Sequence, residues 1–158
     1  MNLPRLFIGS DHAGFEAKEN LKKFLEKNYS DLDVIDEGPV SAQSVDYPDY
    51  ADRVCTSMTK STDRGILICG SGQGMAMRAN KYNHIRAALC WNEEVAQLCR
   101  NHNDANVLCL GARLQSENQM EHLTRTFLDT EFEGGRHQQR VDKIASALYD
   151  PRAPKKDI

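Results

Sequence analysis

The chain has 158 residues, 40% of them hydrophobic, and carries a formal net charge of -3 with a pI near 5.9. That length fits a single domain, and the acidic balance argues against general binding to nucleic acid or a membrane surface. No apolar run approaches the ~20 residues of a spanning helix, and the N-terminus carries no signal-peptide pattern; the expectation is a cytoplasmic protein with no nucleic-acid or membrane partner.

Leu6-Phe7-Ile8-Gly9-Ser10 reads as a first strand, with Asp11-His12-Ala13-Gly14 as the loop at its C-terminal end. Phe15, Leu21, Phe24 and Leu25 then fall on one face of a helix. Asp33-Val34-Ile35-Asp36 is a short second strand closed by Gly38-Pro39. A helix from Val45-Asp46-Tyr47-Pro48 runs to about Lys60, with Pro48 in its first turn. Ile66-Leu67-Ile68-Cys69 is a third strand. A helix follows its glycine loop with Met75, Ala76, Met77, Arg78, Ala79, Asn80 and Lys81. Ile85–Cys90 is a fourth strand. Asn92 reads as the N-cap of a helix whose buried stripe is Val95, Ala96, Leu98 and Cys99. Asn106–Leu110 is a fifth strand ending at Gly111. Ser116 with Gln119 forms a capping box for a helix bearing Met120, Leu123, Phe127 and Leu128. After Gly134-Gly135 a last helix is expected from about His137 to Tyr149. The domain is read as 1–150, with a loose tail over 151–158.

Strands alternating with helices imply an α/β fold, an open parallel sheet with helices on both faces. Ligands of such sheets sit beyond the carboxyl ends of the strands, where Asp11-His12, the glycine loop and Arg113 all fall.

The centre of the chain is Ile68-Cys69-Gly70-Ser71-Gly72-Gln73-Gly74-Met75. A strand running through a glycine-rich turn into a helix is an anion cradle of bare N–H groups. Cys69 stands at its lip, where a thiolate is favoured. It is no dinucleotide fingerprint: the third glycine comes one residue early, and about twenty residues on stands Cys90, not an acid. The five cysteines (Cys55, Cys69, Cys90, Cys99, Cys109) form no Cys-x-x-Cys pair and read as free thiols, all but Cys69 as small core residues. No two histidines stand at helical i,i+4 spacing, so no metal is expected. Arg136 and Arg140, four apart, suit a phosphate dianion; the plain alternative is a solvated basic face. His102-Asn103-Asp104-Ala105-Asn106 reads as a capped helix end. His84 and His122 have no evident partner, and Tyr47 and Tyr50 read as core edge. A thiol, an N–H cradle, histidines and a phosphate clamp together point to proton abstraction beside the carbonyl of a phosphorylated compound, through an enediolate.

Ser10-Asp11-His12-Ala13-Gly14-Phe15, Asp46-Tyr47-Pro48-Asp49-Tyr50-Ala51, Ile68 to Gly74, Ala79-Asn80-Lys81, His102 to Leu108 and Glu133 to Arg140 resemble, in order and spacing, the type B ribose-5-phosphate isomerases. These share a superfamily with the galactose-6-phosphate isomerase subunits. The resemblance implies a Rossmann-like three-layer α/β/α sandwich on a five-stranded parallel sheet. It implies a homodimer with shared active sites, open to pairing into a dimer of dimers. The implied reaction interconverts D-ribose 5-phosphate and D-ribulose 5-phosphate, in the non-oxidative pentose phosphate pathway, with no metal or cofactor.

By the same resemblance Cys69 is the base, His102 assists ring opening, and Ser71 with Gly70, Gly72, Gln73 and Gly74 forms the cradle. Asp11 and His12 lie at the substrate, Asn103 binds sugar hydroxyls, and Arg113, Arg136 and Arg140 bind the phosphate. His102, Asn103 and Arg113 are expected from the partner subunit. Relatives lacking the cysteine carry a glutamate base just after the glycine loop; that position here is Met75, which cannot accept a proton, so the chain falls in the cysteine branch. The rivals are an isomerase of a six-carbon sugar phosphate, allose or galactose 6-phosphate, and a non-catalytic phosphosugar-binding protein.

Overall fold

A computed structural model describes residues 4–145. The elements are β1 (Arg5–Ser10), α1 (Phe15–Asn28), β2 (Asp33–Asp36), α2 (Tyr47–Ser57), β3 (Arg64–Cys69), α3 (Gln73–Ala79), β4 (Ala87–Leu89), α4 (Glu93–Asn101), β5 (Val107–Gly111) and α5 (Glu117–Asp129); a 3-10 turn at Gly135–His137 then leads into α6 (Gln138–Ala145). The five strands form one parallel sheet in the order β2-β1-β3-β5-β4.

The central strands carry unbroken apolar runs, Leu6–Gly9, Gly65–Cys69 and Val107–Gly111, because helices cover both faces. Alternate residues serve opposite layers. Leu6, Ile8, Ile66, Ile68, Leu108 and Leu110 pack with α1, α4 and α5 through Leu21, Leu25, Ala96, Leu123 and Phe127. Phe7, Leu67, Cys69, Val107 and Cys109 pack with α2 and α3 through Val54, Cys55, Met75 and Ala79. The result is the expected three-layer α/β/α sandwich.

From β1 the chain turns to β2 on one side, while β3 lies on the other. The connections therefore part at the carboxyl ends of β1 and β3, which is where an open α/β sheet leaves a crevice. The Asp11 N–H donates to the Ile68 carbonyl at 3.2 Å across that gap, and in register Cys69 stands beside Gly111 of β5.

Several local expectations shift. The helix after Pro48 ends at Ser57, because Asp63 takes the Thr59 and Lys60 N–H groups at 2.8 Å each. The helix after the glycine loop begins at Gln73, capped by Gly72 in the left-handed conformation, and ends at Ala79. The fourth strand shortens to Ala87–Leu89: Arg86 N–H donates to Asn106 Oδ1 at 2.7 Å instead of to a neighbouring strand. Asn92 does cap α4, accepting from Val95 N–H at 2.9 Å. Leu98, however, lies outside the buried stripe of α4, and Arg100 lies inside it, its guanidinium donating to Asp104, Ala105 O and Thr130 O. Only half of the capping box forms; Ser116 accepts from Gln119 N–H, but the Gln119 amide reaches Trp91 O at 2.9 Å. His84 and His122 both have partners: His84 Nε2 meets Cys55 O at 2.8 Å, and His122 Nε2 lies 3.1 Å from Glu93. The end of the last helix, the domain edge at 150 and the tail 151–158 lie outside the described residues.

Candidate active site

Asp11, Tyr47, Cys69, Gly70, Ser71, Gly74, Arg113 and Leu114 line an open pocket of about 390 Å³ at the parting of β1 and β3, a size within the ~300–1,000 Å³ of small-molecule sites. Each side chain is placed by a strand end. Asp11 follows β1, and its carboxylate is held by Gly14 N–H at 3.0 Å. Cys69 is the last residue of β3. Arg113 follows β5, tied back by its N–H to Gly70 O at 3.0 Å. The resemblance assigns Arg113 to the partner's contribution; here it borders Cys69 of its own chain.

The Cys69 sulfur accepts the Gly72 N–H at 3.1 Å. It is the one cysteine sulfur, among the described residues, that accepts a backbone N–H. Gly72 takes φ 77°, and a Cβ there would lie 2.7 Å from Leu89 and 3.0 Å from the Leu110 carbonyl. The other thiols are arranged against ionisation or away from the pocket. Burial pushes Cys55 up to about 12 and Cys109 well above its ordinary value. Cys90 is raised because its hydrogen bond to Cys99, 3.8 Å away, and its burial both hold the proton. All five are free thiols.

Ser71 is half-buried on the pocket wall, and its Oγ accepts Gln73 N–H at 3.4 Å. The Gln73 side chain is exposed at the start of α3. His12 sits beside the pocket with Nδ1 at 3.2 Å from both Val45 N and Val45 O. Tyr47, read from sequence as core edge, is a pocket wall: its ring lies so close over Gly74 that a Cβ there would be 2.5 Å from Cζ. The Asp46-Tyr47-Pro48 motif was the available signal, since Pro48 starts α2 and aims its first turn at the glycine loop.

The remaining candidates lie elsewhere. His102 caps the end of α4, which runs back from the carboxyl edge of the sheet to its amino edge. There Asn106, just before β5, bonds Arg86 N and His84 O, just before β4. Asn103 is exposed beside it, in a cleft with Arg86, Cys99 and Ala105. Glu133 N–H donates to Asn101 O at 3.1 Å, which brings the segment carrying Arg136 and Arg140 to the same edge. Arg136 lies in the 3-10 turn and Arg140 in α6, so the pair does not share one regular helix; both are exposed. At ~3.3 Å per residue β3 alone spans roughly 16 Å, so within one chain His102, Asn103, Arg136 and Arg140 stand across the sheet from Cys69. Among the described residues no carboxylate pairs with Arg113, Arg136 or Arg140, which leaves their guanidinium forks open to an anion.

His137, which sequence reading passed over, stacks on His102 with centroids 4.3 Å apart and planes at 13°. Burial first, then the neighbouring His102 and Arg136, hold its imidazole below the ordinary 6.5, against the opposing pull of Glu133. The ligand atoms of His102, Glu133 and His137 lie within 4.8 Å of one another, the one group of that kind among the described residues. Zinc-type ligation needs lone pairs converging at ~2.0–2.2 Å on one point. Two nearly parallel rings direct theirs side by side, so the stack does not fit a chelate.

Comparison with known proteins defines the class. The family model described as Ribose/Galactose Isomerase matches residues 6–144. The chain is 39% identical over 145 residues to the ribose-5-phosphate isomerase B of Escherichia coli (91% of this chain, 96% of that one). The crystal structure of a ribose 5-phosphate isomerase from Thermotoga maritima superposes with a TM-score of 0.86 at 44% identity, over 93% of this chain and 100% of that one. The type B ribose 5-phosphate isomerase of Trypanosoma brucei gives a TM-score of 0.87 at 40% identity, over 92% and 99% of the two chains. The chain belongs to the ribose/galactose isomerase family.

Proposed function

We propose that this chain interconverts D-ribose 5-phosphate and D-ribulose 5-phosphate, a step of the non-oxidative pentose phosphate pathway. The observation that carries the reading is Cys69: a thiol at the sheet's crevice, with a backbone N–H on its sulfur and a glycine loop beside it. The Cys69 thiolate removes the proton from C2 of the open aldose, and the electrons move into the C1 carbonyl to give a cis-enediolate. The thiol returns the proton to C1 as the O2 hydroxyl proton passes to O1, which leaves the C2 ketone and a C1 hydroxyl. Ser71 and the N–H groups of Gly70, Gln73 and Gly74 hold the enediolate oxygens while the Gly72 N–H stays on the Cys69 sulfur; loss of such a donor costs on the order of 10²–10³ in rate.

Asp11 and His12 orient the sugar, and Asn103 binds its hydroxyls. His102 gives a proton to the furanose oxygen as the ring opens. Arg113, Arg136 and Arg140 hold the phosphate, whose binding energy positions C1 and C2 against the sulfur. Because His102, Asn103, Arg136 and Arg140 stand across the sheet from Cys69, one chain does not complete this site. We therefore read the active form as a homodimer in which each site joins the Cys69 edge of one copy to the His102 edge of the other; whether dimers pair further is a matter of their outer faces. Among the described residues no helix is long and apolar enough to cross a membrane. We place the protein in the cytoplasm, the compartment in which free thiols persist.

The test is a direct assay with ribose 5-phosphate and, alongside it, allose 6-phosphate and galactose 6-phosphate. Turnover of the pentose in preference to both hexoses is expected. Faster turnover of a hexose overturns the substrate, and binding without turnover of any of the three overturns the enzyme.

A further inference from the structure

The His102–His137 stack is the best-defined side-chain cluster outside the Cys69 pocket, and the isomerase mechanism uses only one of its two rings. His137 is 6% exposed, whereas His102 is half-buried. One ring is thus the wall and the other the working face. We infer that His137 is the positioning residue for His102: its buried imidazole is a fixed platform that sets the plane in which His102 presents its ring nitrogens to the sugar. This rests on the ring-opening role of His102 given above.

The local backbone serves this contact. Gly134 and Gly135 both take positive φ, 65° and 56°, and a Cβ at either would meet nothing within 4 Å. Space is not what these positions need; two successive positive φ angles are, and residues other than glycine rarely adopt them. The double reversal turns the chain after Glu133, whose N–H is fixed to Asn101 O, and closes the 3-10 turn through His137 N–H to Gly134 O at 3.0 Å. His102 is held from its own side by its N–H to Leu98 O at 2.9 Å. The two backbones are therefore tied together at Asn101, next to His102, and at Glu133, four residues before His137.

The platform is also electrically quiet. His137 Nε2 has no hydrogen-bond partner, the nearest carboxylate oxygen being that of Glu133 at 3.5 Å. His102, Arg136 and Arg140 surround it with positive or potentially positive charge. A stacked imidazole pair holds one proton far more readily than two. His137 is the buried member, so its charged form is disfavoured and its ring serves as a platform, not as a proton carrier.

The experiment compares His137→Ala, His137→Phe, His102→Asn and the double variant His137→Ala/His102→Asn in the assembled enzyme, with folding checked by circular dichroism. His137→Ala is expected to lower kcat by about 10- to 100-fold, the scale of a misplaced catalytic group, with KM little changed. His137→Phe keeps a flat ring under His102 and restores most of kcat. The double variant is no slower than His102→Asn alone, because His137 acts only through His102. Losses that multiply in the double variant, or a His137→Phe enzyme as slow as His137→Ala, overturn the inference. Proton NMR of the His102 ring separates this outcome from failure of the isomerase reading. Loss of the ring-current shift in His137→Ala but not in His137→Phe is expected even in a protein that turns over no pentose, and an unmoved His102 resonance in His137→Ala overturns the platform.

Discussion

Gly72 donates its backbone N–H to the sulfur of Cys69 at 3.1 Å, across the turn that joins β3 to α3. One peptide group thereby links the loop that holds the enediolate to the atom that makes it. With the sulfur gone, the pocket keeps Asp11, Ser71 and Arg113. Cys69→Ala should therefore bind ribose 5-phosphate with near-parental affinity by calorimetry while kcat falls by about 10²–10⁴-fold, the span of a general base. Cys69→Ser should fall nearly as far, because a hydroxyl is a much weaker acid than a thiol. Turnover within tenfold of the parent in either variant would remove Cys69 from the chemistry.

The same contact depends on Gly72. A side chain there meets both a φ of 77° and the Leu110 carbonyl, which is backbone and cannot swing aside. Gly72→Ala should cost about 1–3 kcal/mol of stability from strain and turn its N–H off the Cys69 sulfur. Urea unfolding reads the first effect. The second is read by the rate at which iodoacetamide alkylates Cys69, which should change once the sulfur loses its donor. An unchanged alkylation rate in a destabilised variant would show that the N–H does not govern the thiol.

The sheet and its layers were legible because they rest on local sequence: Leu6 to Gly9, Ile66 to Cys69 and Val107 to Gly111 are unbroken apolar runs, as doubly covered strands tend to be. Asp11, Cys69, Ser71 and Arg113 were legible as neighbours because strand ends of a parallel sheet share one edge. The element edges that moved were decided by side chains from distant sequence, Asp63 at the end of α2 and Asn106 at the start of β4. Arg100 displaced Leu98 from the buried stripe for a similar reason, since three oxygens from later residues satisfy its guanidinium. His137 was hidden because its ring pairs with a residue of another helix, and no spacing rule connects His102 to a turn beyond α5.

His137 also makes stability depend on pH. In the folded chain its imidazole gains a proton only below the ordinary 6.5, chiefly because it is buried, with His102, Arg136 and Arg140 adding repulsion and Glu133 opposing. The unfolded chain takes up that proton near 6.5 and so binds more protons than the folded one just below this pH. The contribution of His137 is therefore full above about pH 6.5 and is lost as pH falls towards the folded value. Urea midpoints measured at pH 8, 6.5 and 5.5 should drop with falling pH more steeply in the parent than in His137→Phe, which has no proton to gain. Equal slopes in the two proteins would mean that the ring titrates normally when folded.

The placement of Cys69 and His102 on opposite edges of one sheet gives the sharpest test of the shared site. In a Cys69→Ala chain the His102 edge is intact, and in a His102→Asn chain the Cys69 edge is intact. A dimer formed from one of each joins the two intact edges in one site and the two damaged edges in the other. Random exchange of equal amounts makes about half of the dimers mixed, so about a quarter of all sites regain both groups. Activity should rise from near zero to about a quarter of the parental value as exchange proceeds, following the appearance of mixed dimers in native mass spectrometry. It should not rise when the Cys69→Ala chain also carries Arg136→Ala and Arg140→Ala, since its His102 edge is the one that the restored site uses; the same pair in the His102→Asn chain should leave the recovery unchanged. Mixed dimers that form without activity would mean that each site is built within one chain, and the route by which His102 reaches the sugar would have to lie across the sheet of a single copy.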